Sequence, residues 1–254
     1  MKIAVTGARG TVGREVVKAC SNAGHSTSEM RTADTASNYD DTLDVLRDSD
    51  ALIHLAAIPN PVGTPDWQVH QNNAQSAFNG FRACGELGIK KICYASSVNA
   101  IGLAYANQPL KFPYFPIDEE YPTNATDSYA LAKLEAEIQA RSFSNWFPGT
   151  KIACLRIHEV APREDVAKEH KENWDDAGVK QLWGWVHPAA TARACLLAIE
   201  SADNIDGFQE HRSKDLAARY YPETEIRGSF EGNASFWTTD KAKRVLGWTH
   251  KETK

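Results

Sequence analysis

The chain has 254 residues, and its 28 Lys and Arg against 33 Asp and Glu give a formal net charge of −5. With 42% hydrophobic residues, it can bury the core of one large α/β domain without disulfides or structural metals. The mild acidity argues against a nucleic-acid partner, because phosphate binding needs clustered basic charge. No apolar run reaches the roughly 18 residues of a membrane helix, so we expect no membrane partner.

The five cysteines include no Cys-x-x-Cys pair, which is typical of buried and reduced thiols. The first five residues lead directly into a glycine-rich segment without the pattern of a secretion leader. Both observations favour a cytoplasmic protein. The eight histidines show no metal-ligand spacing, so we expect no metal site.

Short apolar runs alternate with segments of helical periodicity through the first 157 residues. This alternation predicts an α/β fold with a Rossmann-like, doubly wound parallel sheet. We expect one domain over residues 1–254, in which residues from about 158 onward add a small C-terminal substrate lobe. Proline-marked loops at 58–67 and 107–122 follow strands. The predicted strands are Lys2–Thr6, Ala51–Ala57, Lys91–Ser96 and Lys151–Ile157, and the predicted helices are Val12–Ala23, Asp41–Arg47, Asn73–Leu87 and Ser128–Asn145.

A glycine loop joins the first strand to the first helix and reads Gly7-Ala8-Arg9-Gly10-Thr11-Val12-Gly13. Gly7 permits a tight turn, Gly10 lets a pyrophosphate approach the backbone, and Gly13 allows the helix to pack on the strand. The helix N-terminus offers N–H groups and partial positive charge to the phosphates. The loop therefore predicts a dinucleotide site, with a glycine-rich packing turn as the alternative.

Tyr129 and Lys133 are four residues apart, so they share one face of a predicted helix. A phenol is a poor base at neutral pH, but a nearby ammonium favours its phenolate. Such a pair could exchange a proton with a substrate hydroxyl or carbonyl. Ser96 and Ser97 end a strand, where a hydroxyl could hold the reacting oxygen against the tyrosine. The spacing alone does not decide between the two serines.

Together these motifs resemble the short-chain dehydrogenase/reductases of the extended, epimerase/dehydratase type. The glycine loop, the run Leu55-Ala56-Ala57, Asn73, Ser97, Tyr129 and Lys133 occur in that family's order. Within the family, the run Ala95-Ser96-Ser97, the pair Ile101-Gly102 and the Asp127-Ser128-Tyr129 segment are loosely similar to uronate dehydrogenases. Further likenesses are Leu155-Arg156-Ile157, Trp185-Val186-His187-Pro188 and the closing segment Trp237–Trp248.

The resemblance implies a role for each matching residue. It makes Tyr129 the acid/base, Lys133 the group that lowers the tyrosine pKa and binds the nicotinamide ribose, and Ser97 the group that orients the substrate oxygen. Asn73 would help to organise the site, and Asp34 would lie near the adenine. Substrate candidates are Ser97, Asn99 and Arg163. Cofactor contacts would come from Gly7, Arg9, Gly10, Thr11, Val12, Gly13, Asp34, Leu55, Ala56, Ala57, Tyr129 and Lys133.

The sequence departs from this pattern at two places. A polar run at 26–34 stands where a second apolar strand is expected, so we expect that strand and its ribose-binding acid to be missing. A similar break at 207–212 replaces a late apolar strand, and both losses suggest segments omitted from the sequence. NAD and NADP therefore stay undecided, with a slight indication of NADP from Arg9 and Arg31.

We expect an NAD(P)-dependent oxidoreductase that acts on a small sugar, uronic acid or polyol. One alternative is an NAD(P)-dependent sugar epimerase or dehydratase, which would turn over without net change in NAD(P)H. Another is a non-catalytic redox sensor that only binds NAD(P). The family resemblance also makes a homodimer possible, through the Tyr–Lys helix and the helix before it.

Overall fold

The computed structural model describes residues 1–30, 36–108, 110–166, 168, 178–200, 224–227 and 238–248. Strands and helices alternate along this part of the chain, as the sequence predicts. A short 3₁₀ helix, Val98–Ile101, follows the strand Lys91–Ser97. The strands are β1 Lys2–Thr6, β2 Ser26–Met30, β3 Ala51–His54, β4 Lys91–Ser97, β5 Tyr114–Phe115, β6 Lys151–Ile157, β7 Glu159–Val160, β8 Trp185–Val186 and β9 Glu225–Ile226; the helices are α1 Thr11–Asn22, α2 Tyr39–Leu46, α3 Asp66–Leu87, α4 Ser128–Trp146, α5 Pro188–Glu200 and α6 Asp240–Leu246.

A five-stranded parallel sheet in the order β2-β1-β3-β4-β6 forms the centre of the molecule. Alternate residues of β1 enter different cores: Ile3 and Val5 pack with α1 and α5, whereas Ala4 packs with α2, α3 and α4. Helices therefore cover both faces of the sheet, which confirms the doubly wound α/β fold. The shortest strands form two separate parallel pairs, β5 with β9 and β7 with β8.

The prediction that the second strand is missing is wrong. Residues Ser26–Met30 pair in parallel with β1 along its whole length, from Lys2 opposite Ser26 to Thr6 opposite Met30. The strand lacks an apolar pattern because it lies at the edge of the sheet, where only Met30 is buried. The carbonyl of Met30 accepts a hydrogen bond of 3.1 Å from the N–H of Ala8, which joins β2 to the glycine loop. The predicted break at 207–212 lies outside the described residues.

Most element boundaries lie within two residues of the predictions, and two differ by three residues or more for local reasons. The strand predicted over Ala51–Ala57 ends at His54: the N–H of Leu55 is shared between the carbonyl and the hydroxyl of Thr6, and the N–H of Ala56 bonds only the hydroxyl. Helix α3 begins at Asp66, seven residues before the predicted start, after Pro65 at its N-cap. No described helix is long and apolar enough to cross a membrane.

A third apolar cluster lies outside the two cores of the sheet. It joins the segment after β4 to residues near β8, and its members include Phe115, Ile117 and Trp183. Helix α6 instead docks on the main core through Trp248, whose indole N–H donates 3.2 Å to the carbonyl of Ala190.

Candidate active site

A cavity of about 660 Å³ opens at the carboxyl edge of the parallel sheet. Parallel α/β sheets form their ligand sites at this edge, because the loops after the strands meet there. The cavity is continuous from the glycine loop to the N-terminal part of α4. Its lining includes Gly7, Gly10, Thr11, Val12, Gly13, Leu55, Ala56, Ala57, Ser97, Asn99, Tyr129 and Lys133 from the predicted set.

The glycine loop has no room for side chains at two of its glycines. Gly7 has a φ of +68°, and a Cβ there would lie 3.0 Å from the backbone N of Ala56. A Cβ on Gly13 would lie 2.2 Å from the Gly7 carbonyl oxygen. These contacts press the start of α1 against both β1 and the loop after β3.

The N-terminus of α1 is open to the cavity. Its N-cap is Gly10, and among the described residues no side chain caps the helix. Thr11, Val12 and Gly13 in the first turn all line the cavity, and this turn contains no acidic residue. Free N–H groups and the positive helix end therefore face the space where a pyrophosphate would lie. The residues present thus fit an NAD(P) dinucleotide.

A buried hydrogen-bond network fixes the loop after β3 behind the glycines. The Thr6 hydroxyl oxygen accepts from the N–H groups of Leu55 and Ala56, both at 3.1 Å. It therefore donates its own hydrogen to Nδ1 of His54 at 2.9 Å. Nε2 of His54 then donates to the hydroxyl of Ser76 at 3.1 Å. Burial, followed by the charge of Lys133, lowers the pKa of His54 to about 3, so the imidazole is neutral.

Ser97, Tyr129 and Lys133 converge at the other end of the cavity. Asp127 caps α4 by accepting 2.8 Å from the N–H of Ala130, which starts the helix just before Tyr129. The Ser97 oxygen accepts 3.1 Å from the N–H of Asn99, which leaves its hydrogen for the Tyr129 phenol. The Lys133 ammonium nitrogen lies 5.7 Å from the centre of the Tyr129 ring and donates 2.5 Å to the carbonyl of Ala95.

Burial changes the acidity of both ionisable groups in this cluster. It raises the pKa of Tyr129 to about 12, while the hydrogen bond from Ser97 acts in the opposite direction. Burial also lowers the pKa of Lys133 to about 8. Desolvation disfavours the charged form in each case, and it moves the two pKa values apart, from ordinary values of 10.0 and 10.5 to about 12 for Tyr129 and about 8 for Lys133.

The structure distinguishes the two serines that the sequence left equivalent. The Ser96 hydroxyl donates 2.5 Å to the carboxylate of Glu137, whereas the Ser97 hydroxyl faces Tyr129. Both serines border the cavity. Only Ser97 therefore has a hydroxyl in position to act together with the tyrosine.

Asn73 lies in α3 and does not line the cavity. Its side-chain amide accepts 2.8 Å from the N–H of Ile58 and donates 2.9 Å to the carbonyl of the same residue. It therefore holds the loop that begins at Leu55. Asn99 lines the cavity, and its side-chain oxygen accepts 2.8 Å from the N–H of Ala104.

Three other predicted residues are not in this cluster. Arg9 and Arg163 are exposed and do not line the cavity. Asp34 lies outside the described residues, as does Arg31. Among the described residues, no three His, Cys, Asp or Glu side chains are grouped to hold a metal.

Sequence reasoning missed several residues that line the cavity. Tyr105 packs its ring edge-to-face against Tyr129, with centroids 6.2 Å apart. Burial, Asp127 and Glu159 raise the pKa of Tyr105. No motif marks these positions, because their place in the cavity depends on the packed fold. The missed lining residues also include Pro59, His158, Glu159 and Gln181.

Comparison with known proteins identifies the family. The model of the NAD dependent epimerase/dehydratase family matches residues 3–210, and the chain therefore belongs to this family. A dTDP-6-deoxy-L-talose 4-dehydrogenase (NAD(+)) of Aggregatibacter actinomycetemcomitans is 27% identical over 63% of the chain, and the match spans only 62% of that protein. An L-arabinose 1-dehydrogenase (NAD(P)(+)) of Haloferax volcanii is 26% identical over 79% of the chain and 83% of its own length.

Solved structures share the fold at low sequence identity. The UDP-Glc/GlcNAc 4-epimerase of Campylobacter jejuni gives a TM-score of 0.72 at 15% identity, over 100% of this chain and 95% of that one. The UDP-glucose 4-epimerase of Thermotoga maritima, solved with UDP-glucose, gives 0.71 at 20% identity, over 100% and 94%. These likenesses confirm the Rossmann-like architecture.

Proposed function

We propose that the protein is an NAD(P)-dependent dehydrogenase that interconverts a hydroxyl and a carbonyl group on a small sugar, uronic acid or polyol. The observation that carries this proposal is the meeting of Ser97, Tyr129 and Lys133 in the cavity that begins at the glycine loop. Its two sugar-dehydrogenase relatives support the substrate class. When bound, the nicotinamide ring would supply or accept the hydride.

In this proposal the residues of the chain handle the proton. Tyr129 takes the proton of the substrate hydroxyl during oxidation and returns it to the carbonyl oxygen during reduction. Ser97 donates a hydrogen bond to the reacting oxygen and keeps it against the phenol. The Lys133 ammonium stabilises the phenolate electrostatically, in a site where burial makes this interaction stronger than in water.

The glycine end of the cavity would hold the cofactor. The open first turn of α1 binds the pyrophosphate, and the backbone from Leu55 to Ala57 borders the nucleotide. Glu159 and Gln181 line the same cavity, which supports the proposal that residues from about 158 onward add a substrate lobe.

Cofactor binding can be tested before any substrate is known. Titration with NADH and NADPH, followed by energy transfer from tryptophan to the reduced nicotinamide, should show tight binding of at least one form. A screen of sugars, uronic acids and polyols with the preferred cofactor should then change the nicotinamide absorbance. Tyr129→Phe is the matched control, because it should bind cofactor and lose turnover.

The outcomes separate the alternatives. Sugar conversion without a net change in NAD(P)H would replace the dehydrogenase by an epimerase. Cofactor binding with no conversion of any sugar, and with Tyr129→Phe indistinguishable from the wild type, would favour a redox sensor. Failure to bind either cofactor contradicts all three proposals.

We also propose a cytoplasmic homodimer formed through α3 and α4. Leu131 and Ile138 are seven residues apart on α4, are 41% and 59% exposed, and share one face. Trp67 on α3 and Trp146 on α4 are also largely exposed. Light scattering should report a dimer for the wild type and a monomer for Ile138→Glu; a monomeric wild type contradicts this proposal.

A further inference from the structure

Three consecutive residues at the end of β4 are each bound by a different turn of α4. Ser97 is hydrogen-bonded to Tyr129, and the carbonyl of Ala95 accepts from Lys133. The hydroxyl of Ser96, between them, donates to Glu137. The three helix residues are spaced four apart, so they lie along one face of α4. Two of these contacts involve the proposed proton-transfer residues, and the third belongs to a residue with no assigned role.

Glu137 is held more firmly than a surface carboxylate. One of its oxygens accepts 2.5 Å from the Ser96 hydroxyl and 3.0 Å from Nε of Arg156. The other accepts 2.8 Å from Nη2 of the same guanidinium. The side chains of Glu137 and Arg156 are only 16% and 14% exposed. Arg156 stands opposite Ser96 in the β4–β6 register, so three elements meet at this carboxylate.

Nη1 of Arg156 extends the cluster by donating 3.3 Å to the carbonyl of Glu119, in the loop before α4. The guanidinium therefore bridges the helix and that loop. A two-point pair of this kind fixes direction as well as distance, which a lysine in place of Arg156 would not do.

The charge of Glu137 also acts on Lys133, one turn earlier. Burial lowers the pKa of Lys133 to about 8, and Cys154 and Glu137 act in the opposite direction. The other groups around Lys133 are Tyr129 on its own helix, Tyr94 on β4 and His54 on β3. The tyrosines and the histidine are neutral near pH 7, since burial raises the pKa of both phenols and lowers that of His54. Glu137 is the carboxylate in this group, and it acts on Lys133 in the same direction as Cys154.

We propose that Glu137 is a positioning residue for the proton transfer: gripped by Arg156 and Ser96, its carboxylate keeps the buried Lys133 charged and holds Ser97 in register with Tyr129. This inference rests on the proposed function for its consequence in turnover. Its electrostatic part concerns the protein alone and can be tested without substrate or cofactor. The competing explanation is a salt bridge that only contributes to packing, as many buried pairs do.

The test is a pH titration of Lys133 in the full chain by ¹³C NMR, with lysine labelled at Cε and the signal assigned from Lys133→Arg. Glu137→Gln keeps the shape of the side chain and removes its charge, and it leaves the Arg156 cation uncompensated. We expect the Lys133 midpoint to fall by about one pH unit. Glu135→Gln is the matched control, because Glu135 is a half-exposed carboxylate of the same helix that pairs with His70, and it should leave the midpoint unchanged.

Glu137→Asp separates charge from packing. The shorter side chain disturbs the contacts with Ser96 and Arg156 but keeps the negative charge, so the Lys133 midpoint should stay nearer to the wild-type value than in Glu137→Gln. Equal shifts in both variants, or no shift in either, would overturn the proposal.

Turnover provides a second readout once a substrate is found. Because Lys133 must be charged, the alkaline limb of the kcat profile should move to lower pH in Glu137→Gln by the same amount as the NMR midpoint, with little change in KM. A fall in kcat without this displacement indicates a structural role and contradicts the inference. If no sugar is converted at all, the proposed function fails, and the NMR titration still tests the role of Glu137.

Discussion

The two ends of the cavity differ in what lines them, because one is lined by main chain and the other by side chains. At the glycine end, the lining is main chain: three glycines, the open first turn of α1 and the backbone that follows β3. At the other end, the lining is a set of buried ionisable side chains, Tyr129 and Lys133, supported from behind by Glu137 and Arg156. One end offers free N–H groups to an anion, and the other offers a proton.

This difference predicts different sensitivities. A backbone site depends on volume, because a single added carbon meets atoms that cannot rotate away. A site of buried ionisable groups depends on charge and pH, because burial has moved the pKa of Tyr129 and Lys133 in opposite directions.

The largest effect is expected at the side-chain end. Tyr129→Phe removes only the phenol oxygen, so the ring should keep its packing against Tyr105. We expect kcat to fall by about 10²- to 10⁴-fold, the usual contribution of a general acid or base. NADH or NADPH affinity should change by less than about twofold, which a fluorescence titration would measure. A parallel loss of cofactor affinity would show that the two ends are not independent.

The next effect is at the backbone end. In Gly13→Ala, the new Cβ would lie 2.2 Å from the Gly7 oxygen and 2.7 Å from Cα of Ala8, both of them backbone atoms. We expect a loss of about 2 kcal/mol in the free energy of unfolding, measured in urea. Gly10→Ala is the control, since its Cβ would lie 3.4 Å from the nearest atom and φ is −69°. It should unfold like the wild type yet bind cofactor less tightly, because Gly10 borders the cavity.

The sequence alone predicted the glycine end of the cavity more completely than the side-chain end. The glycine loop is a local pattern, so spacing alone located it between β1 and α1. The pairing of Tyr129 with Lys133 was also local, but the choice of Ser97 over Ser96 needed the packed structure. That choice depends on Glu137, which lies on α4 and accepts a hydrogen bond from Ser96.

The second strand is present in the structure, although the sequence analysis predicted that it is missing. Sequence reasoning expected an apolar run, because central strands of parallel sheets are covered on both faces. Ser26–Met30 forms the edge of the sheet, where partial exposure makes polar residues acceptable. Its position is encoded by pairing with β1 rather than by its own composition. Loop residues such as Tyr105 could not be predicted from the sequence either, because their place in the cavity depends on tertiary packing.

His54 is a titratable group that lies behind the glycine end of the cavity, so the stability of that end also depends on pH. Its pKa of about 3 in the folded protein lies below the ordinary value of 6.5. Below pH 6.5 the unfolded chain therefore binds a proton that the folded protein does not. The stabilising contribution is complete above pH 6.5 and is lost as the pH falls toward 3.

The wild type should therefore lose about 2 kcal/mol more unfolding free energy between pH 8 and pH 4.5 than His54→Gln does. Urea titrations at several pH values would measure this. His70→Gln is the control, because His70 is a half-exposed histidine on the surface of α3. The pH dependence of the unfolding free energy of His70→Gln should follow that of the wild type. If His54→Gln shows the same pH dependence as the wild type, the imidazole of His54 is not held neutral.

The smallest effect is expected at Arg9, whose place in the glycine loop indicated NADP in the sequence analysis. The backbone carbonyl of Arg9 accepts 2.9 Å from Nε of Arg14, but its side chain is exposed and does not line the cavity. An exposed charge contributes at most about 1 kcal/mol, so Arg9→Gln should change the ratio of NADPH to NADH affinity by less than about fivefold. Arg14→Gln, an exposed neighbour on α1, is the matched control for loss of charge. A selective loss of NADPH affinity above about tenfold, absent in Arg14→Gln, would mean that Arg9 reaches the 2′-phosphate. The glycine end would then also depend on a side-chain charge, and the contrast between the two ends would no longer hold there.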